Sequence, residues 1–300
     1  VSIAPSASER FAHLDSGLTL CFESWGDEDA PVVLLIMGLG SPMHLWPDGF
    51  CEQLVDRGYR VIRYDNRDTG RSTALRDQQV TRLDIVRAAL GIQRQVPYTL
   101  GDLADDAAGL LDRLEIDRAH IVGASMGGMV AQTFAIAHPG RTASLTSIMS
   151  TTGSRFAGWM DPRLIPMMLR PGAASREEFI AGQLAASRAI GSPGFPDDPD
   201  LVRATAELTY DRGWTSAGVT RHVLAILTQR DRRKALRSVR VPAMVVHGTE
   251  DRMVHPSGGT STARALPQAE LLKIAGMGHD LPVAAQPAVV DAIDRTARRA

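Results

Sequence analysis

The sequence predicts an α/β protein built on a doubly wound, mostly parallel sheet of eight strands with one helical insertion. Three observations carry that reading. Short β-branched runs alternate with segments of helical period. A Gly-x-Ser-x-Gly pentapeptide, Gly123-Ala124-Ser125-Met126-Gly127, joins one such run to a helix-like one. A single interval of about 85 residues holds no strand pattern at all, which is too long for a bare loop.

The elements follow in order. Residues 18–25, with the turn Ser16-Gly17 before them, predict an antiparallel edge hairpin with the region of Phe11. The runs at 32–37 (VVLLIM) and 60–64 (RVIRY) have the character of strands buried on both faces, and 119–122, 144–149, 243–246 and 270–274 look the same. Between them, 50–58 turns Leu54 and Val55 inward, and 100–114 repeats Leu103, Ala107, Leu110, Leu111 and Leu114 at helical spacing. Residues 128–137 and 287–298 complete the helices of the core. The strand-free interval, broken at Pro162, Pro171-Gly172, Ser192-Pro193-Gly194, Pro196, Pro199 and Gly213, is read as a helical cap over 154–240, set into a core of 1–153 and 241–300.

Composition excludes several classes. Of 300 residues 44% are hydrophobic and 22% charged, as in an ordinary globular chain, and the net charge of -1 gives no reason to expect nucleic acid. No run approaches the roughly 18 apolar residues of a membrane span, and the first residues lack a basic segment followed by an apolar one, so a cytoplasmic protein without stable membrane insertion is expected. Cys21 and Cys51 are read as small buried apolar residues rather than a bridge. The cap carries 14 Lys/Arg against 9 Asp/Glu, leaving 19 against 25 for the rest. That imbalance is read as a solvated arginine-rich face, with steering of anionic substrates as the alternative.

The glycines of the pentapeptide allow a sharp strand-to-helix turn that lifts the Ser125 hydroxyl above the sheet at a helix N-terminus. A hydroxyl becomes an effective nucleophile only beside an imidazole that takes its proton, itself oriented by a carboxylate. Residues 243–246 lead into His247-Gly248-Thr249-Glu250-Asp251, making Asp251 the candidate acid with Glu250 as fallback. Residues 270–274 lead into Ala275-Gly276-Met277-Gly278-His279, making His279 the candidate base. Of the other histidines, His247 is read as a strand-end residue, His255 as a surface loop residue, and His13, His120, His138 and His222 as structural. Acyl transfer also needs donors for the oxyanion. The backbone N–H groups of Met126 and of Leu39, in the glycine loop after the third strand, are the candidates.

The set MGLG (37–40), YDNRDTGRS (64–72), GASMGG (123–128), HGTED (247–251) and GMGH (276–279) resembles the α/β-hydrolase superfamily over nearly the whole chain. Within it, the MG loop with Trp46-Pro47 and the 63–72 turn are similar to the esterase branch typified by aclacinomycin methylesterase and related actinobacterial lipase/esterase-like proteins. The resemblance implies the α/β-hydrolase fold with its cap after the sixth strand, and a role for Asp65 to Asp68 in tying loops together. Two departures stand out. Met37 occupies the position where many relatives have histidine, so the oxyanion loop must be anchored differently. The stretch 76–97 is long, with Leu83, Val86 and Leu90 at helical spacing between arginines; a packed surface helix, a second lid and an interfacial helix are all open readings.

The expected function is serine hydrolysis of a carboxylic ester, a methyl ester among the candidates, through an acyl-enzyme. A carbon–carbon bond hydrolase or a cofactor-free perhydrolase would use the same triad, and a small-molecule receptor would use the same fold. Gly38, Met43, His44, Trp46, Trp159, Met167 and Met168 are candidates for an adaptable apolar pocket, with packing of cap on core as the competing role. No cofactor and no metal is expected, because no metal-ligand or nucleotide-cradle pattern occurs. The expected partner is a small, apolar ester. Oligomeric state is left open.

Overall fold

The structure, a computed structural model, describes residues 8–93, 95–168 and 172–300. Eight strands form one sheet in the order β1-β2-β4-β3-β5-β6-β7-β8. β1 (Arg10–His13) and β2 (Thr19–Trp25) make the antiparallel edge, and β2 also pairs antiparallel with β4 (Arg60–Tyr64). From β4 through β3 (Val32–Ile36), β5 (Ala119–Ala124), β6 (Thr142–Ile148) and β7 (Ala243–Gly248) to β8 (Ala269–Ile274), every pairing is parallel. This is the α/β-hydrolase architecture that the resemblance implied.

The central strands are uninterrupted apolar runs because helices cover both faces. Every residue of β3 and β5 is buried. On one face lie α3 (Leu100–Arg113) and α4 (Met126–Ala137), whose Leu103, Leu110, Val130 and Phe134 pack on Leu34, Ile36 and Ile121. On the other lie α1 (Asp48–Val55) and α11 (Gln286–Ala297), whose Phe50, Leu54, Val289 and Ile293 meet Val33, Leu35 and Val246. β8 departs from the sequence expectation. Its residues are half-buried or exposed, because it is the sheet edge.

Residues 82–89 form α2 (Arg82–Ala89), which starts at a capping box in which Thr81 and Asp84 satisfy each other's free backbone N–H groups. Its Leu83 and Val86, and Leu90 just beyond, are exposed, and Ala88 is its one buried residue. Thr99 and Asp102 start α3 in the same way.

Between β6 and β7 the described chain is helical: α5 (Ile165–Met168), α6 (Arg176–Ile190), α7 (Pro199–Asp211), α8 (Ser216–Leu227) and α9 (Arg233–Leu236). α6 and α7 enclose a small cluster of Phe179, Ile180 and Ala206, with Trp214 against it. α10 (Ser257–Ala265) then links β7 to β8. Cys21 and Cys51 are buried free thiols. Among the described residues no helix is long and apolar enough to cross a membrane.

Candidate active site

The loops that leave the C-terminal ends of β3, β5, β7 and β8 converge on Ser125. The serine lies between β5 and α4 with φ 55° and ψ -118°, a backbone conformation an L-residue holds only where its surroundings impose it. The imposition is steric. A Cβ on Gly123 would stand 2.1 Å from Gly127 O, and one on Gly127 would stand 2.0 Å from Ile36 O, so both flanking positions must be glycine for strand and helix to meet this closely. The Ser125 N–H donates to Ile148 O (2.9 Å), and its carbonyl accepts from Ser150 Oγ (2.7 Å). Ser125 is half-buried at the N-terminus of α4.

His279 Nε2 stands 2.9 Å from Ser125 Oγ, and His279 Nδ1 stands 2.8 Å from Asp251 Oδ2. Since the carboxylate only accepts, Nδ1 carries the proton and Nε2 offers its lone pair to the serine. Asp251 is buried, and its Oδ1 accepts from the N–H groups of Met253 (2.9 Å) and Val254 (2.8 Å). Burial opposes its ionisation, yet His279 and His247 beside it hold the carboxyl well below the usual carboxylate range. Glu250, the fallback, is exposed, and its N–H donates to Met277 O. The arrangement can abstract a proton from the hydroxyl and return it to a departing group.

The loop after β3 lies directly against the serine. A Cβ on Gly38 would be 3.2 Å from Ser125 Cβ. Asn66 Nδ2 donates to Met37 O (3.0 Å), and the Gly40 N–H donates to His222 Nδ1 (3.1 Å). These bonds anchor the loop where other relatives were expected to use a histidine at position 37. Among the described residues the Leu39 and Met126 N–H groups find no hydrogen-bond acceptor.

The turn at 65–72 holds this loop to the insertion. Asp65 Oδ1 accepts from the Met43 N–H (2.7 Å), and its Oδ2 pairs with Arg212 (2.6 Å), which also pairs with Glu9. Asp68 makes two 2.7 Å bonds to Arg221 and accepts from Tyr98 OH (2.7 Å). Burial opposes ionisation of Asp68, but Arg221 and Tyr98 lower its pKa below the ordinary value. These contacts tie loops together, as the resemblance implied.

Of the pocket candidates, Gly38 lies against Ser125 and most of the others make contacts of their own. Met43 and Trp46 are wholly buried, Trp46 stacked on Phe50 at 5.2 Å within the β3–α1–α11 core. His44 is tied to α7 by a 3.1 Å bond from Nε2 to Thr209, and burial lowers its pKa to about 4. Trp159 is 50% exposed and stacks on His255 at 4.2 Å. Met167 is half-buried beside α5's start. The Met168 side chain lies outside the described residues.

Sequence reading missed three supports of the site. His247 is fully buried, and its Nε2 lies 2.8 Å from Val254 O and 3.2 Å from Asp251 Oδ2, so it braces the same carboxylate oxygen that faces His279. The four-residue spacing from Asp251 was the available signal. The end of α6 clasps the histidine loop: the His279 N–H donates to Ile190 O (2.7 Å), and the Gly278 N–H to Ser192 Oγ (2.8 Å). His222, Arg212 and Arg221 grip the opposite loop. The arginine-rich insertion is therefore not simply a solvated face, because Arg212, Arg221 and Arg232 are buried. Among the described residues no three His, Cys, Asp or Glu side chains cluster to hold a metal ion.

Comparison with known proteins agrees with this architecture. The α/β hydrolase fold family matches residues 31–283. The chain is 30% identical over 297 residues to rhodomycin D methylesterase DnrP of Streptomyces peucetius, covering 92% of this chain and 94% of that one, and 29% identical to rhodomycin D methylesterase DauP of Streptomyces sp. (strain C5) over the same shares. Among solved structures, the enol-lactonase of Burkholderia xenovorans LB400 superposes with a TM-score of 0.75 at 23% identity, covering 96% of this chain and 99% of that chain, which is a likeness of fold.

Proposed function

This chain belongs to the α/β hydrolase fold family, and we propose that it is a serine hydrolase that cleaves carboxylic esters through an acyl-enzyme. One observation carries the reading: the unbroken relay from Ser125 Oγ to His279 Nε2 (2.9 Å) and from His279 Nδ1 to Asp251 (2.8 Å). Ser125 Oγ attacks the ester carbonyl while His279 Nε2 takes its proton. Asp251 keeps the imidazole in the required tautomer and stabilises its charged form. The carbonyl oxygen becomes negative only as the tetrahedral intermediate forms, and the N–H groups of Leu39 and Met126 are the donors for it. Collapse expels the alcohol, which receives the proton from His279. Water, deprotonated by His279, then attacks the acyl-enzyme and releases acid and free serine.

Residues 154–240 act as the cap and 1–153 with 241–300 as the catalytic core. The kinship to two methylesterases favours a methyl ester, with the bulk of the substrate on the acyl side. Carbon–carbon bond cleavage and ligand reception draw no observation of their own.

The test is Ser125→Ala assayed on short p-nitrophenyl esters and on methyl esters of polycyclic acids, together with labelling by a fluorophosphonate. Turnover is expected to fall by about four orders of magnitude or more, and labelling to vanish. Turnover retained in the variant would remove Ser125 from the mechanism.

A further inference from the structure

Leu39, the proposed oxyanion donor of the β3 loop, has its N–H on the peptide unit between residues 38 and 39. The two flanking peptide units are both pinned. The unit between 37 and 38 is held through the Met37 carbonyl by Asn66 Nδ2 (3.0 Å), a group of the core. The unit between 39 and 40 is held through the Gly40 N–H by His222 Nδ1 (3.1 Å), a group of α8 in the insertion. The middle unit is itself held through the Gly38 carbonyl, which accepts from the Ser41 N–H (3.3 Å), and because each peptide unit is planar, fixing both neighbours further limits how far its N–H can turn.

The ring that does this is itself fixed. His222 is fully buried, and its Nε2 lies 2.9 Å from Arg67 O, an atom that only accepts. Nε2 therefore carries the hydrogen, and Nδ1 is left with a lone pair facing the Gly40 N–H. Tyr98 packs edge-on against the ring at 5.9 Å. Burial pushes the imidazole down to about 4, with Asp68 opposing and Arg221 and Arg67 reinforcing, so the ring stays neutral and Nδ1 stays an acceptor. α8 also presses on the loop at the same point. Gly40 has φ +60°, and a Cβ there would lie 2.6 Å from Val219 Cγ2.

We propose that His222 is a positioning residue for the oxyanion site: by accepting from the Gly40 N–H it sets the direction of the Leu39 N–H, so that the docking of the insertion completes the catalytic geometry. This rests on the serine hydrolase reading above. It assigns the insertion a part in transition-state stabilisation, separate from any part in binding substrate. Loss of the Gly40 bond then lowers kcat, because the oxyanion exists only in the transition state, and leaves KM nearly unchanged.

Two variants separate the halves of the ring. His222→Asn keeps an acceptor near the Nδ1 position, and His222→Gln keeps a donor near the Nε2 position but offers Gly40 nothing. Expected for His222→Gln is a fall in kcat of about ten- to hundredfold with KM within about twofold, and weaker binding of a trifluoromethyl ketone, which forms an oxyanion adduct, by a similar factor. For His222→Asn, kcat is expected within about threefold of the parent. Equal kcat in both variants, or equal loss in both tracking their loss of melting temperature, would overturn the assignment. Should His222→Gln not fold, hydrogen exchange of the Gly40 amide in the unaltered protein decides. Protection supports the bond, and exchange at the rate of a free amide overturns it. Failure of the hydrolase reading looks different: the unaltered protein would hydrolyse no ester and take up no fluorophosphonate.

Discussion

The insertion grips the rim of the site along two seams of different chemistry. Against the histidine loop, residues 190–194 meet 276–280 through backbone and one serine. Ile190 O, Ser192 Oγ and the Gly194 N–H bond to the His279 N–H, the Gly278 N–H and Gly276 O, and Ser192 also bonds to Asp280. The glycines there sit so close that a Cβ on Gly278 would be 2.3 Å from Gly191 O. Against the loop after β3 and the 65–72 turn that holds it, the insertion instead brings buried charge and imidazole: Arg212 to Asp65, Arg221 to Asp68, and His222 to Gly40. The first seam depends mainly on space, so it is sensitive to a methyl group, and among the described residues the one ionisable side chain bonding across it is Asp280. The second depends on ionisation state, so it is sensitive to charge and to pH.

That contrast can be broken in four ways. The largest effect is expected from Arg221→Met, which leaves the Asp68 carboxylate buried without its cation. A loss of about 3–5 kcal/mol in urea unfolding is expected, and adding Asp68→Asn should recover much of it. A variant that lost under 1 kcal/mol would show that the charged seam is not carrying load.

Acid should act next, on the charged seam and on buried His120 of β5, whose pKa burial also lowers to about 4. His222 and His44 are held near 4 in the folded chain, against 6.5 when free. Between those values the unfolded chain binds protons that the folded chain does not. Stability is therefore full above pH 6.5 and falls as pH drops toward 4, by roughly 2–3 kcal/mol for His222. Denaturant midpoints measured across that window should decline, and His222→Asn should flatten the decline; a parallel slope in the variant would contradict the assignment.

Gly278→Ala probes the other seam. Its added methyl must displace either Gly191 or the loop carrying His279, at a cost of about 1–3 kcal/mol. Activity should suffer out of proportion, by roughly a hundredfold, because His279 moves with the loop. A pH profile of stability unchanged from the parent would sharpen the contrast with the charged seam.

The smallest effect is expected at α2, which touches α8 but holds neither loop. Leu83→Gln and Val86→Gln replace exposed side chains and should shift stability by no more than about 0.5 kcal/mol. A larger loss would mean that the apolar stripe of α2 is covered by something in solution.

How far the sequence could be read follows from the same contrast. The charge asymmetry, 14 basic against 9 acidic residues in 154–240 and 19 against 25 elsewhere, was plain in the sequence. It was read as a solvated face, yet part of it is complementarity across the second seam, where Arg212 and Arg221 face Asp65 and Asp68. Trp46 and Met43 show what the sequence leaves unread. Their nearness in sequence to the loop after β3 suggested contact with a ligand; the 3-10 turn after the loop buries both, Trp46 within the β3–α1 core.

The strands, the elbow at Ser125 and the positions of Asp251 and His279 were determined by the sequence itself, since each is written in a local pattern: an apolar run, a pair of glycines, a polar residue where a strand ends. Tertiary structure alone decided what holds those groups in place. Arg212 meets Asp65 across 147 residues of chain, and Arg221 meets Asp68 across 153. Such pairings leave no periodic trace, because any of many arginines satisfies a carboxylate equally well until packing brings one of them within reach.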